Sequence, residues 1–159
     1  MGVLFRHLKS LVLPLIVLVA VPWLLLENRE PDLHLLMIPG AVVLLIGLFI
    51  MGSTMRLFAH RGEGTLAPWD PPKKLLTNGL YAYVRNPMIL GVLSVLFGEA
   101  MIFLSWRIAA WAALFFLINT LYFKFSEEPG LEKRFGEEYI EYKKNIPRWL
   151  PKFTNKEMK

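Results

Sequence analysis

The chain contains no cysteine. That excludes a disulfide framework, a thiolate nucleophile and a zinc–thiolate site. Histidine is scarce: His7, His34 and His60 are the three present, scattered without metal-ligand spacing, so no metal site is expected. Charge is scarce too, at 19% of residues against 55% hydrophobic, with a mean hydropathy of +0.43. An ordinary soluble domain carries about 25% charged residues. A chain of 159 residues is expected to be a single domain over 1–159. No RNA- or DNA-binding motif is present. The net charge of +5 is read as membrane topology and contact with anionic lipid, not as nucleic-acid binding.

What the chain has in abundance is apolar sequence. Residues 8–26 form a nearly unbroken apolar run. At ~1.5 Å per residue it can cross a hydrocarbon core of about 30 Å. Arg6 and Lys9 in front of it suggest a signal peptide, but VAVPWLLLENREP is too bulky for a cleavage site, so a retained helix is expected. Residues 33–58, 82–104 and 108–125 supply three more spans. Only Ser105, Trp106 and Arg107 separate the last two, which makes them an antiparallel hairpin. The expected fold is therefore all-α: a multi-pass integral membrane protein of four transmembrane helices, with a loop at 59–81 and an amphipathic tail helix at 127–146.

Lys and Arg mark the sides. Arg6, Lys9, Arg56, Arg61, Lys73, Lys74, Arg85 and the basic tail fall on one side, and Arg29 and Arg107 on the other. By the positive-inside rule both termini, the loop and the tail are expected to be cytoplasmic. Trp23, Trp69, Trp106 and Trp149 fall near the expected interfaces. Gly40, Gly47, Gly91 and Gly98 lie inside spans, where small residues let helices pack closely. Pro14 and Pro22 are expected to bend the first span. Glu99 lies toward the far end of the third span, within reach of Arg107.

Two polar stretches share the cytoplasmic side. In the first, Asn86 and Pro87 are a strong N-cap and a favoured first helical residue. A helix N-terminus beside Arg85 makes an anion site at the membrane surface. A capped helix with a lipid-phosphate-binding arginine fits the same spacing. In the second, Leu131, Phe135, Tyr139, Tyr142 and Ile146 form a helical stripe, with Glu132, Lys133, Glu137, Glu141 and Lys144 on the other faces. Glu127 and Glu128 open that helix and complement its dipole. The loop GEGTLAPWDPP holds too much Gly and Pro for regular structure, and reads as a lid, a cofactor cradle or a stiff connector.

Together these stretches resemble the isoprenylcysteine carboxyl methyltransferase and phospholipid methyltransferase group of integral membrane enzymes. The family pattern is roughly G-x-Y-x-x-x-R-H-P-x-Y-x-G, a hydrophobic hairpin, then E-E-x-x-L-x-x-x-F-G-x-x-Y-x-x-Y and a V-P-x-x-x-P-like ending. Here it reads GLYAYVRNPMILG, then EEPGLEKRFGEEYIEYKKNIPRWLP, and the resemblance covers residues 62–151. It implies S-adenosylmethionine bound on the cytoplasmic side, between the first motif and the tail. It also implies a lipophilic substrate entering from the bilayer. Tyr81, Arg85, Asn86, Pro87 and Gly91 match the first motif. Glu127, Glu128, Leu131, Phe135, Gly136, Tyr139, Tyr142 and Pro147 match the second. Asn86 stands where the family has His, and Ile89 where it has Tyr. Asn145 stands where the isoprenylcysteine enzymes tend to carry a basic residue.

The resemblance implies cofactor binding by Tyr81, Arg85, Asn86, Pro87, Gly91, Glu127, Glu128 and Tyr139. The acceptor decides what else is needed. A carboxylate needs orientation, for which Arg85 and Arg148 are candidates. An amine needs a base to take its proton, for which Glu127 and Glu128 are candidates. The residues serve both. Two other classes compete: the sterol reductases, which carry a similar R-H-P-like motif but use NADPH, and a non-catalytic membrane scaffold. The compact architecture and the loop point to a bacterial plasma membrane, with the endoplasmic reticulum as the alternative.

Overall fold

Apolar runs punctuated by proline and glycine fold here as helices, and the punctuation decides where each helix bends or stops. The computed structural model describes residues 12–26, 34–61 and 74–152. Arg6, Lys9, Trp69 and the GEGTLAPWDPP loop lie outside these residues. No strand occurs among the described residues.

Helix α1 (Val12–Leu25) contains a π turn at Ile16–Ala20. The cause is Pro22, which has no N–H to donate. In the π pattern the partner of the Val17 carbonyl would be residue 22, so that carbonyl is left over. Trp111 fills the gap, its Nε1 donating to Val17 O at 3.1 Å. That bond fastens α1 to a helix 94 residues further on.

Helix α2 is Met37–Arg61 and α3 is Pro87–Ile102. The span expected over 82–104 is shorter at its start: Gly79–Ala82 forms a 3-10 turn, and the helix begins at Pro87, where the Asn86-Pro87 pair places it. Proline disfavours helical geometry in the residue before it, and Asn86 sits at φ −124°, ψ 59°.

Helices α2 and α3 run antiparallel with their backbones nearly touching. A Cβ on Gly47 would sit 2.7 Å from Gly91 O, and one on Gly98 would sit 2.7 Å from Gly40 O. The two pairs are reciprocal and two turns apart on each helix, so the four glycines expected to allow close packing do so as one seam. Gly47→Ala is therefore expected to lower the melting temperature in detergent, as overpacking costs ~1–3 kcal/mol. Gly52→Ala, with nothing within 4 Å of its Cβ position, should be neutral or slightly stabilising. Equal melting temperatures for the two variants would remove the seam from the argument.

Helix α4 (Trp106–Tyr122) starts at Ser105, whose hydroxyl accepts from the Ile108 N–H. It does not stop at Tyr122. A π turn, Phe123–Glu127, carries it into α5, Glu128–Phe135. The result is one rod of 30 residues, Trp106–Phe135. The single tail helix expected over 127–146 is thus corrected: its first turns continue α4, and it breaks at Gly136 (φ 55°, ψ −131°) before α6, Glu137–Asn145. A residue with a Cβ rarely adopts that positive φ. The apolar stripe survives the break. Tyr139, Tyr142 and Ile146 are buried together, with Leu131, Phe135 and Leu75 packed against them.

Met37–Phe58 and Trp106–Phe135 are long and apolar enough to cross a membrane, and α1 and α3 are shorter apolar helices. The inner faces meet around Val17, Met51, Val92, Leu96 and Ala112. The outer face of α2 leaves Ile38 77%, Leu45 63% and Phe49 72% exposed, which only a hydrocarbon surrounding makes favourable. This is a membrane protein.

Candidate functional site

The segment before α3 and the end of the chain are laced together by backbone bonds. Arg85 N donates to Pro147 O at 2.9 Å and Lys152 N donates to Tyr83 O at 2.9 Å. Tyr142 OH donates to Tyr81 O at 2.7 Å. Burial pushes the phenols of Tyr142 and Tyr139 above their ordinary range, against the pull of Arg85 nearby, so both stay hydroxyl donors. Tyr142→Phe should cost about 1 kcal/mol by removing one net hydrogen bond. The check is a melting temperature below that of the parent chain.

This lacing sets a carboxylate among three cations. Arg85 Nη1 donates to Glu128 Oε1 at 2.9 Å and to Tyr139 OH at 3.3 Å. Arg148 grips the same carboxylate with both arms, Nε to Oε1 at 2.6 Å and Nη2 to Oε2 at 3.0 Å. Lys143 Nζ lies 3.3 Å from Glu128 Oε2 and 2.7 Å from Glu132 Oε1. The Glu128 side chain is 4% exposed. A carboxylate that dry is stable only with such partners, and the two-armed arginine contact is the strongest form of pairing.

Above this cluster lies a cavity of about 540 Å³. Its polar end is made by Tyr81, Arg85, Asn86, Glu127, Glu128 and Tyr139. Its apolar end runs between α1 and α4, past Val17, Trp111, Phe115 and Ile118. A polar floor under a lipophilic shaft suits an amphiphilic ligand.

The structure brings together Arg85, Glu128, Arg148 and Tyr139. Glu127 reaches the cavity but turns to another partner, accepting from Tyr122 OH at 3.2 Å. Arg148 holds Glu128 without lining the cavity, and neither Pro87 nor Gly91 lines it. Pro87 is the buried first residue of α3, and Gly91 belongs to the seam with α2. Asn86 holds the N-cap position but its side chain makes no capping bond. Its Nδ2 is buried without a partner among the described residues, as is Arg85 Nε. Buried donors are almost always satisfied, so the partners of these two neighbours at the cavity lie beyond the described residues.

Sequence reasoning missed Lys143, Asn119 and Tyr122. Lys143 was not legible, because the bend at Gly136 decides what it faces. Asn119 carried a signal: an amide in an apolar span, where polar groups are costly. Trp149, expected at an interface, packs its ring 5.1 Å from Phe116 and 6.0 Å from Phe123.

An all-helical membrane protein with a buried ion cluster under a lipophilic cavity is a class open to many activities. Comparison of the chain narrows it. Residues 35–138, more than half of the chain, match the family described as phospholipid methyltransferase. The chain belongs to the phospholipid methyltransferase family. It is similar to a phosphatidylethanolamine N-methyltransferase of Zygosaccharomyces rouxii, with 36% identity over 77 residues. That match covers 48% of this chain and 9% of the relative, so the chain spans only a small part of that protein's length. No solved structure matches.

Proposed function

We propose that this protein transfers a methyl group from S-adenosylmethionine to an amine-bearing lipid at the cytoplasmic face of its membrane. The supporting observation is the cavity that joins a lipophilic shaft to the Arg85–Glu128–Arg148 cluster, with two donors beside it that have no partner among the described residues. In this reading α1 to α4 are four crossings, both chain ends are cytoplasmic and residues 1–159 act as one domain.

When bound, S-adenosylmethionine supplies an electrophilic methyl group on a sulfonium. Arg85 Nε and Asn86 Nδ2 suit its carboxylate, and Tyr81, Glu128 and Tyr139 line the same end of the cavity. The chain's further tasks are to orient the acceptor and exclude water. Glu127 takes the proton that an ammonium must lose: the N–H bond breaks, an O–H bond forms on the carboxylate, and a neutral amine remains. The amine is favoured over a carboxylate acceptor by two observations. The relative named above is an N-methyltransferase. Arg148 spends both arms on Glu128 and does not line the cavity, and in this reading the cofactor carboxylate takes the remaining Nε of Arg85.

The test is thermal stability in detergent with S-adenosylhomocysteine, S-adenosylmethionine or NADPH. A ligand at a hundred times its Kd should stabilise by about 2.7 kcal/mol. The first two are expected to raise the melting temperature and NADPH to leave it unchanged. A shift with NADPH alone would replace this reading with a reductase.

A further inference from the structure

One wall of the cavity carries two polar groups outside both motifs, Asn119 and Tyr122, in line with Glu127 of the second motif. Asn119, Tyr122 and Glu127 follow one another up the rod from α4 into α5, and all three line the cavity. The π turn Phe123–Glu127 makes this possible. In a regular helix the residue four on from Tyr122 is Ser126. The extra residue of the π turn puts Glu127 on the wall instead, while Ser126 is exposed and outside the lining. Such turns break the regular ladder and recur at functional sites.

The hydrogen-bond roles on this wall are one-sided. Asn119 Nδ2 donates to Phe115 O at 2.8 Å, which leaves Oδ1, an acceptor, for other partners. Tyr122 commits its hydrogen to Glu127 Oε2 and also bonds the Ser126 side chain, and its phenol oxygen, with two lone pairs, can still accept. Among the described residues, Glu127 keeps its second carboxylate oxygen. Three acceptors in succession, two neutral and one anionic, along an otherwise apolar wall call for a cationic donor with several N–H groups. An ammonium headgroup has that chemistry, and a fully methylated one has lost every N–H.

We propose that Asn119 and Tyr122, with Glu127 presented by the π turn, bind the ammonium headgroup of the lipid and select acceptors that still carry N–H. This deepens the methyl-transfer reading and rests on it for the lipid's role as substrate, but headgroup binding can be measured on its own. The experiment titrates the full chain in detergent with short-chain phosphatidylethanolamine and phosphatidylcholine, with and without S-adenosylhomocysteine. Binding is followed by tryptophan fluorescence, since Trp111 lines the cavity.

The expected result is at least tenfold tighter binding of the ethanolamine lipid. Asn119→Leu and Tyr122→Phe should each erase most of that preference and leave S-adenosylhomocysteine affinity unchanged. Tyr122→Phe removes a single oxygen, so it separates headgroup recognition from folding if Asn119→Leu proves unstable. Equal binding of the two lipids by the parent chain, or an intact preference in both variants, would overturn the assignment. A preference that depends on Asn119 and Tyr122 in a chain that fails to bind S-adenosylhomocysteine would support the headgroup site and sink the methyl-transfer reading.

Discussion

Glu128→Ala is expected to be the most damaging single substitution outside the helix seam. Its carboxylate is 4% exposed and serves Arg85, Arg148 and Lys143 together. Removing it leaves the buried guanidinium of Arg85, itself 10% exposed, beside that of Arg148 with no counter-charge. Breaking a buried pair in this one-sided way costs ~3–5 kcal/mol. The loss should show as a large drop in melting temperature and as early proteolysis of the tail after Gly136. Adding Arg148→Met to Glu128→Ala should recover part of the loss, because it removes one of the two stranded cations. Lys143→Ala should cost far less, since its side chain is 39% exposed and screened by water. If Glu128→Ala melts with the parent chain, the cluster does not hold the tail.

Arg85→Ala should have the largest effect on the proposed chemistry. Its Nη1 supports Glu128 and Tyr139, its backbone N–H holds Pro147 O, and its buried Nε has no partner among the described residues. Alanine keeps the backbone bond and removes the rest. A charged hydrogen bond is worth ~1.5–3 kcal/mol, so affinity for S-adenosylhomocysteine should fall by about a hundredfold. Lysine should rescue little, because a point charge cannot serve Glu128 and a second acceptor at fixed angles as the planar fork does. Full cofactor affinity and turnover in Arg85→Ala would remove this residue from the site.

The two effects are separable although the residues touch. Glu128 acts mainly on whether the tail stays docked, and Arg85 on what the docked tail encloses. Stability and ligand affinity measured on both variants, and on the double variant, would give their coupling directly.

Much of this was legible before any coordinates. Run length and hydropathy determined the apolar helices, because burying or lipid-embedding that much apolar surface leaves few alternatives to helix. The Ser105–Arg107 link determined the hairpin. Asn86-Pro87 determined where α3 begins, since asparagine is a strong N-cap and proline suits the first helical position. The tail's stripe determined which face is buried, and the two motifs brought Arg85, Glu128 and Tyr139 into one site.

Tertiary structure alone decided the rest. Local preference favoured a capping bond for Asn86, yet its amide makes none and its Nδ2 has no partner among the described residues. Glu127 and Glu128 are adjacent in sequence but part company, one to Tyr122 and one to the cation cluster. Lys143 joins the cluster only because Gly136 turns the chain. Asn119 and Tyr122 become one wall with Glu127 only because the helix takes an extra residue in its π turn. Periodicity reports which side of a helix is apolar. It carries no information about where a ladder slips by one residue or which distant side chain fills the space, because those are settled by long-range packing.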